Sequence, residues 1–463
     1  MQFNLFPKEV YINRRKRLQE LVGSGLILLM GNQESSMNYK DNWYPFRQDS
    51  TFLYYFGLDV AGLAATIDAE SGATTIFGNE LSMDDIIWTG LLPTVREMAE
   101  MVGVSSTAPY QKAGKLVQDA QAHGRTVHIL KPYRPENSMQ LAAWLCTAPE
   151  MADSLTLIKA VIEQRAHKEA IEIKEIEDAV SISADMHMAA IRHTRPGMKE
   201  YELVAKVEEV AAAANGRLSY PVILSVNGQV LHNHYHGNTI RDGQMILNDA
   251  GAENAMHYAG DLTRTFPVGR EFTSRQKELY QIVLGSMDHA ISLLRPGITF
   301  REVHAQASET LLSGLKAIGL VKGDPAEAVA AGVHTLFFQC GLGHMMGLDV
   351  HDMEDLGEEY VGYTDTLKKS KEFGWKSLRL GRELETGYVL TVEPGIYMIP
   401  ELIDRWAAEK KLEHFINYKA VAAYRDFGGI RIEDNFLITE DGSHKLGKHL
   451  PKTLKEIEAL RLY

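Results

Sequence analysis

Hydrophobic and polar positions change rhythm part-way along the chain. Up to about residue 155, short apolar runs alternate with helical patterns. "SGLILLMG" and "GLAATIDAESGATTIFGN" read there as buried strands closed by turn glycines. The segment "TAPEMADSLT", Thr147 to Thr156, is small and polar with one proline and reads as a domain boundary. Beyond it, "HKEAIEIKEIEDAVSISADMHMAAIRHT" has a helical apolar period and is stopped by "RPG" at Arg195 to Gly197. A second helix follows in "KEYELVAKVEEVAAAANG". The same order then returns: helical "SRQKELYQIVLGSMDHAISLL", "RPG" at Arg295 to Gly297, and helical "FREVHAQASETLLSGLKAIG".

The strands repeat as well. "DGQMILNDAG" matches "ETGYVLTVEPG", so that Gly243, Asp249 and Gly251 mirror Gly387, Glu393 and Gly395. "AGDLTRTFPVG" mirrors "GGIRIEDNFLIT". This is an internal duplication, with an insertion in the second copy between His351 and Gly387. Two half-domains related by pseudo-symmetry face each other, and a cleft between them is a natural site.

Composition narrows the class. The 463 residues leave room for two or three domains, and 45% hydrophobic with 24% charged content is that of a globular protein. Cys146 and Cys340 are the two cysteines, so no disulfide framework is indicated and a reducing, cytoplasmic setting is expected. With 48 basic against 61 acidic residues, the formal charge of −13 opposes binding to nucleic acid. The short basic run "NRRKRLQ", Asn13 to Gln19, reads as a solvated helix face. No signal-peptide core opens the sequence, and the apolar run "GLILLMG" is far short of the ~20 residues that span a bilayer.

Strand alternation concentrates acids beside apolar runs. Asp249 ends "MILND", Asp261 opens "DLTRTF", Glu393 closes "YVLTVE", and in "GGIRIEDNF" Ile430 and Ile432 share one face while Arg431 and Glu433 share the other. Four carboxylates meeting in one cleft would raise one another's pKa values, and divalent cations relieve that repulsion. "QCGLGHMMGLDVHD", Gln339 to Asp352, adds histidines and flexible glycines, completing a mixed oxygen and nitrogen donor set.

The motifs "NDAGAE…YAGDLTRTFPV", "GLGHMMGLDVHD", "LTVEPGIY" and "GGIRIEDN" together resemble the proline-specific metallo-exopeptidases, aminopeptidase P and prolidase. The likeness covers roughly residues 165 to 445, and "YPFRQDSTFLYYFGLD" extends it to the family's non-catalytic domain. It implies an α+β chain: an N-terminal creatinase/aminopeptidase P-like α/β domain, 1–155, and a C-terminal pita-bread catalytic domain with duplicated halves, 156–463. It further implies two divalent metal ions, manganese first, with cobalt, zinc or iron also admissible. Asp249 would hold one ion, His344 and Glu393 the other, and Asp261 and Glu433 would bridge them. A water or hydroxide shared by the pair would attack the scissile carbonyl. His351 and His232 would stand near the substrate, although His234 and His236 compete for the latter position. Arg431 would orient the bridging Glu433. Cys340 departs from the family pattern, which commonly has histidine there.

The family's two activities differ in what grips the far end of the substrate. "SLRLGREL", Ser377 to Leu384, resembles the prolidase segment that supplies a carboxylate-binding arginine, here Arg379. "DNWYPFRQDS" resembles aminopeptidase P, with Asp41 near the substrate. The expectation is hydrolysis of an Xaa-Pro bond, dipeptidase first and aminopeptidase second, by a homodimer or homotetramer. A metal-free binding module of the same fold is the alternative from another class, a creatinase-like hydrolase is more remote, and phosphotriester hydrolysis is a side activity such sites admit.

Overall fold

A computed structural model describes residues 3–146 and 154–461 of the chain. Residues 147–153, the first part of the segment read as a boundary, lie outside the described residues. The chain divides into two compact units, Met1–Arg165 and Ala166–Tyr463, and the helix Leu155–Ala166 runs up to the division.

The first unit is built on a five-stranded mixed sheet. Its strands are β1 (Leu26–Met30), β2 (Ala64–Asp68), β3 (Thr74–Phe77), β4 (Ser106–Ala108) and β5 (Val127–His128), in the order β4-β3-β2-β1-β5. The apolar run "LILLM" becomes central β1, antiparallel to β2 and parallel to β5. Leu26, Leu28 and Phe77 pack with Val117, Leu141 and Trp144 from two helices, Lys112–Ala122 and Pro135–Leu145. The N-terminal helix Lys8–Val22 corrects one expectation: Arg14 and Arg15 in its basic run are buried, not solvated. Arg14 donates to the Tyr54 carbonyl at 3.0 Å, and Arg15 to the carbonyls of Tyr55 at 2.8 Å and Val102 at 2.7 Å. Both side chains satisfy carbonyls at the ends of helices, which favour cations.

The second unit carries the duplication. Helices Ala170–His193 and Glu200–Ala213 form one hairpin, and Ser274–Leu293 and Phe300–Ala317 the other. The strands are β6 (Arg217–Leu218), β7 (Ile223–Ser225), β8 (Met245–Ala250), β9 (Ala252–Glu253), β10 (Leu262–Pro267), β11 (Val389–Val392), β12 (Gly395–Tyr397), β13 (Gly429–Arg431), β14 (Asp434–Ile438) and β15 (Ser443–Lys445). They form two three-stranded sheets, β10-β8-β7 and β11-β14-β15, and two separate two-stranded ladders, β12-β13 and β6-β9.

The repeat is exact enough to be read in the backbone hydrogen bonds. Gly197 donates to the Ile240 carbonyl at 2.8 Å, and Gly297 to the Leu384 carbonyl at 2.9 Å. Lys199 bridges Thr239 as Thr299 bridges Glu383. The two "RPG" glycines both have φ near +90°, at +93° and +87°, a left-handed conformation that glycine alone adopts without cost. The halves meet where Thr263 bridges Glu433 in antiparallel fashion. Around that bridge the clasps are reciprocal. The Asn435 side chain bonds the amide and carbonyl of Asp261 at 3.2 and 2.6 Å, and the Thr265 hydroxyl bonds the amide and carbonyl of Arg431 at 3.1 and 3.0 Å. Fully buried Arg264 and Asp434 pair at 2.7 Å beside it.

Candidate metal centre

The two strand sets open onto a cavity of about 510 Å³ within the second unit. Its lining includes Asp249, Asp261, His344, Glu393, Glu433, His232, His351, Arg379 and Arg431, together with Tyr220 and Cys340. Asp41 belongs to the first unit, where it sits on an exposed turn.

Each carboxylate reaches the cavity from a different strand end. Asp249 lies near the end of β8, paired across to Thr263 of β10 and Ile223 of β7. Asp261 precedes β10, Glu393 follows β11, and Glu433 fills the break between β13 and β14. The break preserves the alternation: Ile430 and Ile432 are fully buried on the apolar side. His344 rides on an extended segment beside β11. The Thr391 amide donates to the His344 carbonyl at 3.0 Å, the Glu393 amide to the Leu342 carbonyl at 2.8 Å, and the His344 amide to the Thr391 hydroxyl at 3.1 Å. Gly343 is required for that approach, since a Cβ there would lie 2.0 Å from the Thr391 carbonyl oxygen. Nδ1 of His344 lies 3.0 Å from its neighbour's carbonyl at Met345, which turns Nε2 toward Asp261 Oδ2 at 3.3 Å and Glu393 Oε1 at 3.7 Å.

Electrostatics bear out the crowding. Burial, joined by repulsion from Asp261, Glu393 and Asp249, drives Glu433 well above the carboxylate range. Burial also raises Asp249, against the pull of Arg431, and lifts Glu393 to about 7. Asp261 is the exception. Burial opposes its ionisation, but the hydrogen bond and charge of His344 bring it below its usual value. One oxygen of Glu433, Oε1, is buried with no hydrogen-bond partner. Tyr220 adds a geometric argument. Its hydroxyl lies 2.6 Å from Asp249 Oδ1 and 2.5 Å from Asp261 Oδ1. A hydroxyl has one proton, so the second contact sets oxygen against oxygen unless a carboxyl proton or a cation intervenes.

Asp261, His344 and Glu433 each offer a donor atom within 4.8 Å of the others, all buried. An orphaned carboxylate oxygen, acids forced upward in pKa, and an O/N donor set with no thiolate ligand together fit hard or borderline divalent cations.

Further contacts hold these candidate donors in place. Arg431 uses Nη2 to pair with Asp249, Nη1 to donate to the Tyr397 hydroxyl at 2.8 Å, and Nε to donate to the Thr263 hydroxyl at 3.1 Å. Thr263 in turn donates to Glu433 Oε2 at 2.8 Å. Arg431 therefore grips Asp249 directly and reaches Glu433 only through Thr263. Cys340 Sγ stands 3.7 Å from the Tyr397 hydroxyl, and burial pushes its thiol up to about 12, so it stays neutral. His351 packs its ring against His344 with centroids 4.3 Å apart, and its Nδ1 meets Glu354 Oε2 at 2.6 Å. Burial lowers the pKa of both His351 and His232, favouring neutral imidazoles. Arg379 Nη1 meets Glu354 Oε1 at 2.7 Å and also pairs with Glu358. Tyr220, Thr263 and Tyr397 were absent from the sequence expectations. Tyr397 stood inside the quoted "LTVEPGIY" and Thr263 inside "YAGDLTRTFPV", whereas no quoted motif contains Tyr220.

Paired acids on crossed strands around a buried histidine define a metal-dependent hydrolase. The chain belongs to metallopeptidase family M24, whose family model matches residues 174–440, and the aminopeptidase P N-terminal domain model matches residues 11–129. It is 30% identical to rat Xaa-Pro dipeptidase, over 97% of this chain and 92% of the relative. It is 31% identical to Escherichia coli Xaa-Pro aminopeptidase, over 98% of this chain and 97% of the relative. Among solved structures, zinc-substituted E. coli aminopeptidase P in complex with product superposes with a TM-score of 0.82 at 30% identity, covering 99% of each chain. The chain is thus a metallopeptidase that takes divalent metal. Among the described residues, no helix is long and apolar enough to cross a membrane.

Proposed function

We propose that this metallopeptidase hydrolyses the bond between an N-terminal residue and a following proline, with the Xaa-Pro dipeptide as its preferred substrate. The observation that carries the dipeptidase reading is Arg379, which lines the same cavity as the five acidic and histidine donors. A guanidinium fork at that place suits the free carboxylate of a C-terminal proline. Both dipeptidase and aminopeptidase relatives resemble the chain over nearly its whole length, so proline at the second position is common ground for the two activities. The aminopeptidase reading, on longer peptides, draws on the E. coli aminopeptidase P superposition.

Asp249, Asp261, His344, Glu393 and Glu433 would hold two divalent ions, manganese first among first-row candidates. When bound, these ions supply Lewis acidity toward the scissile carbonyl and acidify the attacking water. The chain's own residues do the rest. Arg431 pairs with Asp249 and holds it in place, and Thr263 relays that order to Glu433. His351 and His232 offer neutral imidazoles to the substrate from the cavity wall. Arg379 takes the terminal carboxylate. Asp41, on an exposed turn of the first unit, is a substrate-binding candidate by its likeness to aminopeptidase P alone. We infer a cytoplasmic homo-oligomer, the two unpaired cysteines agreeing with a reducing compartment.

The test is hydrolysis of Leu-Pro, Leu-Pro-Pro and Leu-Ala by purified protein with Mn²⁺, with and without EDTA. Cleavage of Leu-Pro alone, abolished by EDTA, supports the dipeptidase. Faster cleavage of Leu-Pro-Pro assigns it as an aminopeptidase. Equal rates on Leu-Ala and Leu-Pro would sink the proline specificity.

A further inference from the structure

The insertion that breaks the duplication carries a charge cluster that the hydrolytic reading leaves unused. Glu354, in the short helix Glu354–Leu356, uses both carboxylate oxygens on residues of the cavity wall. Oε2 meets Nδ1 of His351 at 2.6 Å, and Oε1 accepts from Nη1 of Arg379 at 2.7 Å. Glu358, in the next helix Glu358–Val361, accepts from the same Nη1 and is itself paired with Lys369. These side chains are between 21% and 41% exposed, so solvent screens them only in part.

Two consequences follow from valence alone. An ionised carboxylate only accepts, so His351 meets Glu354 with an N–H at Nδ1, and a neutral ring then has its lone pair at Nε2. The His351 contact, ahead of the nearby Arg379 charge, holds the Glu354 carboxyl down to about 2, so it is ionised throughout the neutral range. On Arg379, both protein contacts fall on Nη1. Among the described residues Nη2 and Nε meet no acceptor, which leaves one edge of the fork for a second carboxylate. The arginine's charge is matched by its own acidic neighbours. It therefore recognises a carboxylate through directed hydrogen bonds rather than by a long-range field.

We propose that Glu354 is a positioning residue that ties the histidine at the reacting end of the cleft to the arginine at the carboxylate end. Holding both through one carboxylate means that neither ring nor fork shifts without the other. Recognition of the substrate's terminal carboxylate is thereby coupled to the placing of His351, and Glu358 steadies the arginine alone. The inference rests on the Xaa-Pro dipeptidase reading.

The test compares Leu-Pro with Leu-Pro-amide, which lacks the carboxylate, on wild type, Glu354→Ala, Glu354→Gln and Glu358→Gln in full-length Mn²⁺ enzyme. Glu354→Ala is expected to lower kcat at least tenfold on both substrates and to raise KM severalfold for Leu-Pro only. Glu358→Gln is expected to raise KM for Leu-Pro with a much smaller fall in kcat. The isosteric Glu354→Gln keeps the packing and presents one acceptor in place of two, so it should lose at least one of the two effects with its thermal midpoint near wild type. Equal KM changes on the two substrates for Glu354→Ala, a kcat within twofold of wild type, or loss of bound manganese as the cause of the defect would each overturn the positioning role. A wild type that cleaves neither substrate sinks the underlying reading instead, before any variant is made.

Discussion

Lys168 and Asp352 pair at 2.8 Å with side chains only 1% exposed, and this bridge lies directly behind the metal loop. Asp352 follows His351, and its amide donates to the Met345 carbonyl at 2.9 Å, closing the loop that begins at His344. Its Oδ1 also accepts from the Asp349 amide at 3.3 Å. The Lys168 amide is fixed in turn by the Gly387 carbonyl at 2.9 Å, at the left-handed turn before β11. Removing one partner leaves an uncompensated buried charge, at a cost of about 3–5 kcal/mol. Replacing both by apolar residues of similar size removes that penalty and is often neutral. Lys168→Met and Asp352→Leu should therefore each destabilise the second unit by about 3 kcal/mol or more, a large part of a typical domain's ~5–15 kcal/mol. The double variant should recover most of the loss. Urea unfolding in EDTA reads this without the stabilisation that bound metal adds. Single variants within about 1 kcal/mol of wild type, or a double variant as weak as the two losses added together, would refute the account.

Tyr220→Phe removes the hydroxyl between Asp249 and Asp261 and is expected to weaken manganese affinity about 10- to 100-fold, as outer-layer partners of metal ligands commonly do, measured by competition with a chelator. An unchanged affinity would show that the acids are held by Arg431 and the strands alone. Cys340→His puts a hydrogen-bonding imidazole in place of a neutral thiol beside Tyr397 and should raise turnover on Leu-Pro; an equal or lower rate would mean that the Arg431–Tyr397 pair already serves this wall. Acid stability follows from His187, His304 and His334, which burial holds down to about 4, 3 and 4 against 6.5 in an exposed chain. The unfolded chain takes up protons below pH 6.5 that the folded one refuses until about pH 4, so stability is complete above 6.5 and declines between those values. Each histidine contributes a slope of about 1.4 kcal/mol per pH unit, and His304→Phe should remove one such share from the pH dependence of unfolding; an unaltered slope would contradict it.

The sequence made the cavity's acids and His344 legible because each belongs to a motif with fixed neighbours, and duplication marked two of them independently. The helix hairpins were legible for the same reason, their apolar period ending each time at "RPG". What stayed hidden depends on chain crossing. Asp249 meets Arg431, and Glu433 meets Thr263, across the join between halves, where no local spacing carries the information. Arg14 and Arg15 were misread because a polar–apolar pattern counts every arginine as solvent-facing, while two carbonyl-rich helix ends awaited theirs. The partners of Arg379 were hidden by the insertion, which has no counterpart in the first half to compare with.

The duplication also shows how a symmetric backbone yields an asymmetric site. The registers of β8 with β10 and of β11 with β14 place Asp249 opposite Thr263, and Glu393 next in line with Glu433. Thr263 and Glu433 are thus equivalent positions that touch each other, and Asp261 and Arg431 are equivalent positions two residues before them. Asn435 clasps the backbone of Asp261 as Thr265 clasps that of Arg431, so each position has its amide and carbonyl bonded by one side chain of the equivalent strand position. On that shared frame one half sets an acid and the other a guanidinium. Had both halves kept the acid, five carboxylates would face one cavity, with nothing but bound cations to restrain them. With Arg431 in the second half, Asp249 has a permanent counter-charge, and the cavity holds four carboxylates rather than five. The geometry of the centre thus comes from the repeat, and its chemistry from the positions at which the two copies have diverged.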